Sequence, residues 1–587
     1  MKLNKRNVIS FHGGVHPPEN KHLSSDAAIA PAPLPSKLVV PLLQSIGNKA
    51  RLLVNVGDHV LKGQCIGAPD GAISVAAHAP TSGVVTAIGL ARLAHPSGLS
   101  EMAVTIEPDG EDRWIARAPY NWRHAELRSV REYLRDMGVV GLGGAIFPSH
   151  LKLTEKGKVH TLIVNGAECE PFITCDDRMM RERSAGILAG SGIVLELLGA
   201  KVALIGIEDN KPEAAAAMRE AIKTCGFPAE VVVVPTLYPS GAAKQLINLL
   251  TGIQVPSGVR STDMGVQCFN VGTLYAIWRA LEFGEPAISR VITLTGNVSR
   301  PGNYDALIGA PLNELLQLAG VNPGSVGYLY GGPMMGFELP ELDIGLSKAG
   351  NCIIVEKAAD FPDKPQEMPC IRCGKCAEAC PIELQPMDLY WFARGKRFDK
   401  SQQWELFDCI ECGACAYVCP SNIRLVDYFR YSKSEIWAEE RQRKEADRAR
   451  QRHEFRQFRE EREAREKAER LAARAAEKHQ ASVSSGDPAD AERAAKIKAA
   501  MERAAAKQAD VAVEAVTPAS EPQVALDPEK AERIRAAMEK RAAEKAAADA
   551  MSPEEKAAKE AEKQAKIMAA LERAAAKKAG QNENKTE

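Results

Sequence analysis

Apolar positions come in short runs near the start of the chain and in longer runs, alternating with helical patterns, further on. The runs within 57–67 (GDHVLKGQCIG) and 79–88 (APTSGVVTAI) are punctuated by glycine and predict short strands joined by tight turns. Longer apolar runs at 160–168, 201–207 and 230–235 predict buried strands. Because helical patterns separate them, these strands are expected to form parallel crossover units. The chain is therefore predicted to be an α/β multidomain protein.

Further helix and strand signals lie beside these runs. Residues 128–137 predict a helix, and Asn210–Pro212 is typical of a helix start because proline fits the first turn. Residues 291–320 alternate like strands and then become helical. This last segment predicts a small β-rich module that follows the α/β region.

The end of the chain has a different pattern. From 435 to 587 it is almost entirely Ala, Glu, Lys, Arg and Gln, and the units IKAAMER, IRAAMEK and IMAALER begin at Ile497, Ile534 and Ile567. These residues favour helix, but each unit has only a narrow apolar stripe. With breakers such as SSGDP (484–488), the tail is predicted to be disordered, with marginal helices on flexible linkers. A docking tail for a partner is the alternative.

Composition narrows the class of protein. A length of 587 residues predicts roughly four domains, and a formal charge of −1 provides no general basic field, so no nucleic-acid partner is expected. The start, MKLNKRNVISFHGG, lacks a secretory apolar core, and no apolar window reaches the ~20 residues of a membrane span. We therefore expect a soluble protein of a reducing cytosol whose membrane contacts run through partners.

Two cysteine motifs carry the strongest chemical signal. Both have the spacing C-x2-C-x2-C-x3-C-P of bacterial ferredoxins, in which three close thiolates hold one cluster and the fourth ligates the other. The predicted ligands of the first [4Fe–4S] cluster are Cys370, Cys373, Cys376 and Cys419. The predicted ligands of the second are Cys409, Cys412, Cys415 and Cys380. A pair of zinc ribbons is the alternative, but zinc does not require two complete runs that each end in Cys-Pro.

The remaining cysteines and the early histidines show no ligand spacing. The cysteines expected to be small buried hydrophobes are Cys65, Cys169, Cys175, Cys225, Cys268 and Cys352. His12, His16 and His22 lie in a glycine- and proline-rich segment and are expected to be loop residues. Because a two-cluster module passes single electrons, a two-electron donor such as NADH would require a flavin.

A glycine-rich loop, GLGGAIFP at 141–148, follows the predicted helix 128–137. It departs from the dinucleotide fingerprint, which needs glycine where Ile146 stands and a strand before the loop. Backbone N–H groups of such a loop can bind a phosphate, and Lys152 supplies a cation nearby. From these residues alone, a phosphate cradle and a plain turn remain equally open.

Residues 38–106 resemble the barrel-sandwich of lipoyl and biotin carriers in their short, glycine-punctuated strands. A carrier needs a lysine at the hairpin tip, and none occurs between Lys62 and Lys152. The element is therefore expected to be structural.

The glycine loop and later segments resemble the NADH-oxidising subunit of respiratory complex I, whose flavin loop reads G-R-G-G-A-G-F-P-x-x-x-K-W. VNGAECEP (164–171) is similar to that family's V-N-A-D-E-G-E-P, and segments 238–252 and 265–277 also align with its flavin site. The two ferredoxin motifs and the opening FHGGVHPPENK (11–21) are more similar to the RnfC family, which belongs to the Rnf (Rsx) ion-translocating electron transport complex.

This resemblance implies a domain order. The implied regions are a barrel-sandwich domain at 1–120, an FMN/NADH-binding α/β domain at 121–288, a soluble-ligand-binding β-grasp module at 289–360, a two-cluster ferredoxin domain at 361–434 and the low-complexity tail at 435–587.

The resemblance also implies site residues. Those expected to line FMN are Gly141, Gly143, Gly144, Lys152, Asn165, Asn270 and Thr273. Glu168 and Glu170 are expected near the flavin and the nicotinamide, and Phe147 is expected to stack on a ring of NADH. The positions that depart from the complex I pattern, and affect NADH more than FMN, are Leu142, Ala167, Ala242 and Ala243.

The implied function is electron input into a membrane complex at the cytoplasmic face of the bacterial inner membrane. NADH would reduce FMN, two [4Fe–4S] clusters would carry single electrons to integral membrane subunits that move ions, and reduced ferredoxin would drive the reverse direction. The aromatic segment 425–437 is the expected attachment surface, with packing onto the ferredoxin domain as the alternative. A soluble flavin/iron–sulfur subunit and a relay without flavin are the alternative functions.

Overall fold

The computed structural model describes residues 8–359, 361 and 365–484, together with 492, 495–496, 498–500 and 502–503. One compact unit ends at Arg448 and a second begins at Ala449. None of the helices in the described part combines the length and apolar character needed to cross a membrane. The repeat units predicted from Ile497, Ile534 and Ile567 begin outside the described residues.

The N-terminal domain is built from short strands, as predicted. They are β1 (Ala30–Pro31), β2 (Leu38–Pro41), β3 (Arg51–Leu52), β4 (His59–Val60), β5 (Cys65–Ala68), β6 (Ala77–His78), β7 (Gly83–Arg92) and β8 (Ser100–Pro108). Two antiparallel sheets form, in the orders β2-β8-β7-β4 and β3-β5-β6. Leu38, Ile66 and Ile106 are completely buried between them. The arrangement is the predicted barrel-sandwich.

The second region alternates helices and parallel strands. Its elements are α1 (Leu127–Asp136), β9 (Thr161–Asn165), α2 (Cys175–Glu182), α3 (Ser184–Leu198), β10 (Val202–Glu208), α4 (Pro212–Cys225), β11 (Ala229–Val234), α5 (Ala243–Thr251), β12 (Val266–Asn270) and α6 (Val271–Phe283). The strands predicted from apolar runs are β9, β10 and β11, and Pro212 is the first residue of α4 as expected. One-turn 3₁₀ helices lie at Lys21–Leu23, Ser149–Lys152, Ser261–Met264 and Leu406–Asp408.

The sheet of this region has a topological switch point. Its strand order is β11-β10-β9-β12, and every neighbouring pair is parallel. The chain passes from β9 outward to β11 and then returns to the other side of β9, so β9 and β12 are adjacent strands that leave in opposite directions. Ligands of open parallel sheets bind outside the carboxyl ends of such strands. Asn165 and Asn270, paired in register, stand at those ends.

The third module adds α7 and the remaining strands. They are β13 (Ser289–Gly296), β14 (Gly302–Leu307), α7 (Leu312–Ala319), β15 (Ser325–Tyr330), β16 (Phe337–Glu338) and β17 (Cys352–Lys357). The sheet order is β1-β14-β13-β17-β15-β16, so β1 from the N-terminal region forms its edge. Ile292 and Ile353 share one apolar core with Leu38 and Ile66. The first and third modules therefore pack together around a common core.

The cysteine-rich region is helical. Its helices are α8 (Lys375–Glu378), α9 (Pro386–Arg394), α10 (Phe398–Gln403), α11 (Ala414–Tyr417) and α12 (Leu425–Ser484). Helix α12 has 60 residues and ends at the predicted breaker SSGDP. The expectation of short, marginal helices from residue 435 onward was wrong as far as Ser484, because alanine and long charged side chains sustain one continuous helix. The predicted boundary at 434/435 falls inside α12, whose Ile436 is buried in the core beneath the cysteine motifs.

Candidate functional site

The eight motif cysteines line two cavities. Cavity A, of about 380 Å³, is lined by Cys370, Cys373, Cys376 and Cys419. Cavity B, of about 330 Å³, is lined by Cys380, Cys409, Cys412 and Cys415. Each cavity takes three cysteines from one motif and the fourth from the other, which is the grouping that the spacing predicted.

The donor set of cavity B fits an iron–sulfur cluster. Four sulfurs converge among apolar side chains that include Ile382, Leu384 and Phe429. Burial raises the pKa of Cys412 to about 12, so these thiols retain their protons unless a metal replaces them. A cavity of four thiols in an apolar shell is suited to a thiolate-bound cluster.

The two cysteine motifs are copies with one backbone. Gly374 and Gly413 hold the same position in the two copies, with φ of +82° and +80°. Arg372 and Glu411, two residues before them, also share a positive φ, of +55° and +58°. The copies therefore differ in side chains and surroundings rather than in backbone.

Cavity B faces the α/β domain. Tyr238 Oη donates to the Cys412 carbonyl at 2.6 Å, and Gln245 Nε2 donates to the Pro381 carbonyl at 3.1 Å. His12 Nδ1 lies 3.0 Å from the Cys380 carbonyl, so this loop histidine touches the backbone of a predicted ligand. In cavity A, by contrast, Cys373 is exposed.

The glycine loop is pinched at its base and open at its tip. Val140 and Pro148 form an antiparallel bridge, and the Gly141 N–H donates to the Phe147 carbonyl at 2.8 Å. Gly144 has φ of +100° and open space where a Cβ would stand. Gly143 and Gly144 are exposed, so the tip can present backbone to a ligand.

A chain of hydrogen bonds joins this loop to the acidic segment. The Leu142 N–H donates to Thr273 Oγ1 at 2.9 Å, and Asn270 Oδ1 caps α6 by accepting from the Gly272 and Thr273 N–H groups. Asn270 Nδ2 donates to Asp176 at 2.7 Å, and the Asp176 N–H donates to the Glu168 carboxyl at 2.6 Å. The structure therefore brings together the loop, Asn270, Thr273 and Glu168 at the switch point.

Lys152 is a buried cation without a counter-charge. Its Nζ donates to the Cys268 carbonyl at 3.1 Å and lies 5.3 Å from the centre of the Phe269 ring. Burial lowers the pKa of Lys152, and among the described residues no carboxylate forms an ion pair with it. An anionic group such as the phosphate or reduced ring of FMN would supply the missing charge, so the residues present fit this cofactor.

The predicted acidic residues have separate surroundings. Glu168 has φ of +51°, and its carboxyl also accepts from the Asp177 N–H at 3.2 Å, so it caps the start of α2. Burial raises the pKa of Glu168. Glu170 instead accepts from the Met334 and Met335 N–H groups at 2.8 and 3.0 Å, in the third module. Asn165 Nδ2 donates to the Gly241 carbonyl at 2.8 Å.

Sequence reasoning missed several polar side chains of the site. Lys21 Nζ donates to the carbonyls of Glu168, Glu170 and Ile173, at 2.7, 3.0 and 2.6 Å. Arg290 donates to the Leu142 carbonyl at 3.2 Å and to that of Lys348, which returns a guanidinium to the loop where Leu142 lacks one. The apolar strand around Arg290 and the FHGGVHPPENK motif around Lys21 were the only signals for them.

Two other predictions had mixed outcomes. Cys175, Cys268 and Cys352 are buried, but Cys225 is exposed at the end of α4, so its predicted burial was wrong. In the segment 425–437, Phe429 and Ile436 are buried in the core under the cysteine motifs, while Tyr431 and Trp437 are exposed. Much of the segment thus packs onto the ferredoxin domain.

Comparisons with protein families agree with this architecture. Residues 9–111 match the RnfC barrel sandwich hybrid domain, 134–279 the Nuo51 FMN-binding domain, 291–338 the SLBB domain and 369–423 the 4Fe-4S dicluster domain. These matches confirm the predicted domain types.

Curated relatives cover most of the chain. The RnfC protein of the ion-translocating oxidoreductase complex from Serratia proteamaculans is 48% identical over 409 residues, which are 69% of this chain and 58% of the relative. The proteins of the same description from Erwinia tasmaniensis and Citrobacter koseri are each 46% identical, covering 86% and 77% of this chain. The chain spans 62% and 64% of their respective lengths.

Solved structures show a more distant similarity. The NAD⁺-reducing [NiFe]-hydrogenase in the air-oxidized state is 20% identical, with a TM-score of 0.38, over 48% of this chain and 55% of that one.

Proposed function

The chain is a relative of the RnfC proteins of ion-translocating oxidoreductase complexes, and on this premise we propose that it is the electron-input subunit of such a complex. It would pass electrons from NADH, through FMN and two [4Fe–4S] clusters, to integral membrane subunits that couple the flow to ion movement. The observation that carries the proposal is the direct hydrogen-bonded junction between a four-cysteine cavity and the α/β domain that carries the glycine loop.

The residues of the switch point would bind and orient the flavin. Lys152 would neutralise an anionic part of it, while the exposed amides of Gly143 and Gly144 would face its polar groups. Bound FMN supplies the chemistry that side chains lack, because it accepts two electrons as a hydride and releases them one at a time. Arg290 and Thr273 would hold the loop in place from its two sides.

The arrangement of the cavities supports an order of electron transfer. Cavity B contacts the α/β domain through Tyr238, Gln245 and His12, whereas cavity A has the exposed Cys373. The cluster in cavity B would therefore exchange electrons with the flavin. The cluster in cavity A would exchange them with the next subunit.

The setting in the cell follows from the same proposal. We place the protein peripherally at the cytoplasmic face of the bacterial inner membrane, held by other subunits of its complex. Reduced ferredoxin would feed electrons through the complex in the reverse direction, toward NAD⁺.

An anaerobic titration tests the function. The purified full chain should contain flavin and two clusters, and NADH should bleach the absorption of both. Lys152→Met should lose most of the flavin, keep its iron and stop responding to NADH. Lys156→Met, which removes an exposed lysine nearby, should behave like the parent protein.

A relay without flavin is the second candidate, because Leu142 and Ala167 replace charged residues of the complex I pattern. In that case the parent protein would contain iron but no flavin and would not respond to NADH. That result would refute the main proposal.

A further inference from the structure

Cavity B is surrounded by hydrogen-bond donors that cavity A lacks. Lys433 Nζ donates to the Cys409 carbonyl at 2.7 Å, and Tyr238 donates to the Cys412 carbonyl. Among the residues that the structure describes, no side chain donates to a carbonyl of the four cavity A cysteines. The two cavities therefore share a backbone but have different electrostatic surroundings.

Lys433 is the charged member of this set. The residue is 6% exposed, and its ammonium also pairs with Glu411 at 2.8 Å, which stands between the ligands Cys409 and Cys412 in sequence. Glu411 is in turn paired with Arg430 at 2.9 Å. Two cations and one carboxylate thus leave a net positive charge against the wall of cavity B.

The other motif supplies an internal comparison. By their distance from the cysteines, Arg394 corresponds to Lys433 and Arg372 to Glu411. Arg394 is exposed, and its guanidinium donates to Tyr390 Oη at 3.0 Å rather than to a ligand carbonyl. Arg372 is also exposed. Charge held inside the protein is therefore specific to cavity B.

The sign of the effect follows from electrostatics. Reduction adds a negative charge to a cluster, and burial disfavours that charge, so the buried cavity B would by itself lower the reduction potential. A nearby ammonium stabilises the reduced form and raises the potential, because its interaction is only weakly screened inside the protein.

We propose that Lys433 is a positioning residue that raises the reduction potential of the cluster in cavity B, with Glu411 limiting the increase. This balance keeps a buried cluster able to accept electrons from the flavin while it still reduces the cluster in cavity A. The inference rests on the proposed function only in requiring that cavity B holds a cluster.

An EPR-monitored redox titration of the anaerobic full chain tests the pair. Lys433→Met should shift the cavity B potential to more negative values, and Glu411→Gln should shift it to less negative values. The cavity A potential should stay in place in both variants. Lys433→Arg should retain the parent potential, and Arg394→Met, the matched change in the other motif, should leave cavity B unaffected. Cys373→Ala identifies the cavity A signal by removing it.

The outcomes are distinct. If both clusters assemble and the two variants shift the cavity B potential in the same direction or not at all, the inference is overturned. If Lys433→Met loses its cluster, Glu411→Gln decides alone, and an unchanged potential overturns the inference. Parent protein with two clusters that NADH does not reduce would refute the NADH function and leave this inference standing.

Discussion

Lys21 fastens the loop that carries Glu168 and Glu170, although it lies 147 positions before Glu168 in the chain. Its ammonium is the common donor to three carbonyls, and the side chain is buried. A single residue thereby fixes the path of the backbone between β9 and α2.

Replacing this lysine should loosen the loop. Lys21→Met leaves three acceptors without their donor, so we expect a loss of about 2–3 kcal/mol in stability and a reduced flavin content. Denaturant unfolding and flavin absorbance measure the two effects. Lys37→Met is the control, because the Lys37–Asp343 pair is exposed and should contribute less than ~1 kcal/mol. Equal losses in the two variants would contradict the clamp.

Lys348 should make stability depend on pH. Burial lowers the pKa of Lys348 from 10.5 to about 7, and its Nζ donates to the Gly138 carbonyl at 2.7 Å. Between these pKa values the unfolded chain binds one more proton than the folded chain, so this lysine makes stability rise with pH. Below about pH 7 both states are protonated and the full penalty of the buried charge is present.

The difference between Lys348→Met and the parent protein isolates this contribution. Relative to the parent, the variant should be most stable at pH 6 to 7 and lose that advantage by up to ~1.4 kcal/mol per pH unit above it. Thermal unfolding from pH 6 to 9 measures the trend. Parallel curves for the two proteins would show that Lys348 does not titrate in this range.

Prediction from sequence worked at this scale where the signal was local. The cysteine grouping followed from spacing within two short motifs, and the glycine loop from consecutive residues. Lys21, Tyr238 and Arg290 carry no such signal, because their partners lie 147, 174 and 148 positions away. Only tertiary structure makes a lone lysine or arginine part of a site.

At the scale of elements, the two cysteine motifs are interlocked through their fourth cysteines. Cys380→Ser should abolish the cluster of the second motif, and Cys419→Ser that of the first, each halving the iron content. EPR spectra and iron analysis distinguish the two variants. Cys225→Ser, a change at an exposed cysteine, should retain all iron. Loss of the cluster of its own motif in either variant would refute the exchange of ligands.

Elements were predicted well where one pattern determined them. The apolar runs gave β9, β10 and β11, and proline gave the start of α4. The partner of β1 was beyond reach, because this two-residue strand joins a sheet whose next strand begins at Gly302. The length of α12 was missed because charge-rich composition favours both a solvated helix and a disordered tail.

At the scale of the whole molecule, the segment before Lys21 holds the cysteine region against the α/β domain. Gly13 has φ of +70°, and a Cβ there would stand 2.8 Å from the backbone of Ala379 and 2.9 Å from that of Cys380. The Gly14 N–H donates to the Ala379 carbonyl at 3.1 Å. This close approach depends on glycine.

Gly13→Ala should therefore separate the two domains. We expect both cofactor types to remain bound while NADH reduces the clusters at least tenfold more slowly, as followed by stopped-flow absorbance. Gly110→Ala is a matched control, because Gly110 has φ of +79° and open space around its Cβ position. It incurs the same backbone strain, about 1 kcal/mol, without the clash. Equal rates in the two variants would rule out the docking role.

The contact of His12 with Cys380 also orders events during synthesis. The two residues are 368 positions apart, so at cellular translation speeds the ribosome needs tens of seconds to deliver the second after the first. During that interval the opening segment has no cysteine region to bind. The N-terminal strap can therefore close only after the last domain has emerged, and the cysteines remain accessible to cluster-delivery proteins until it does.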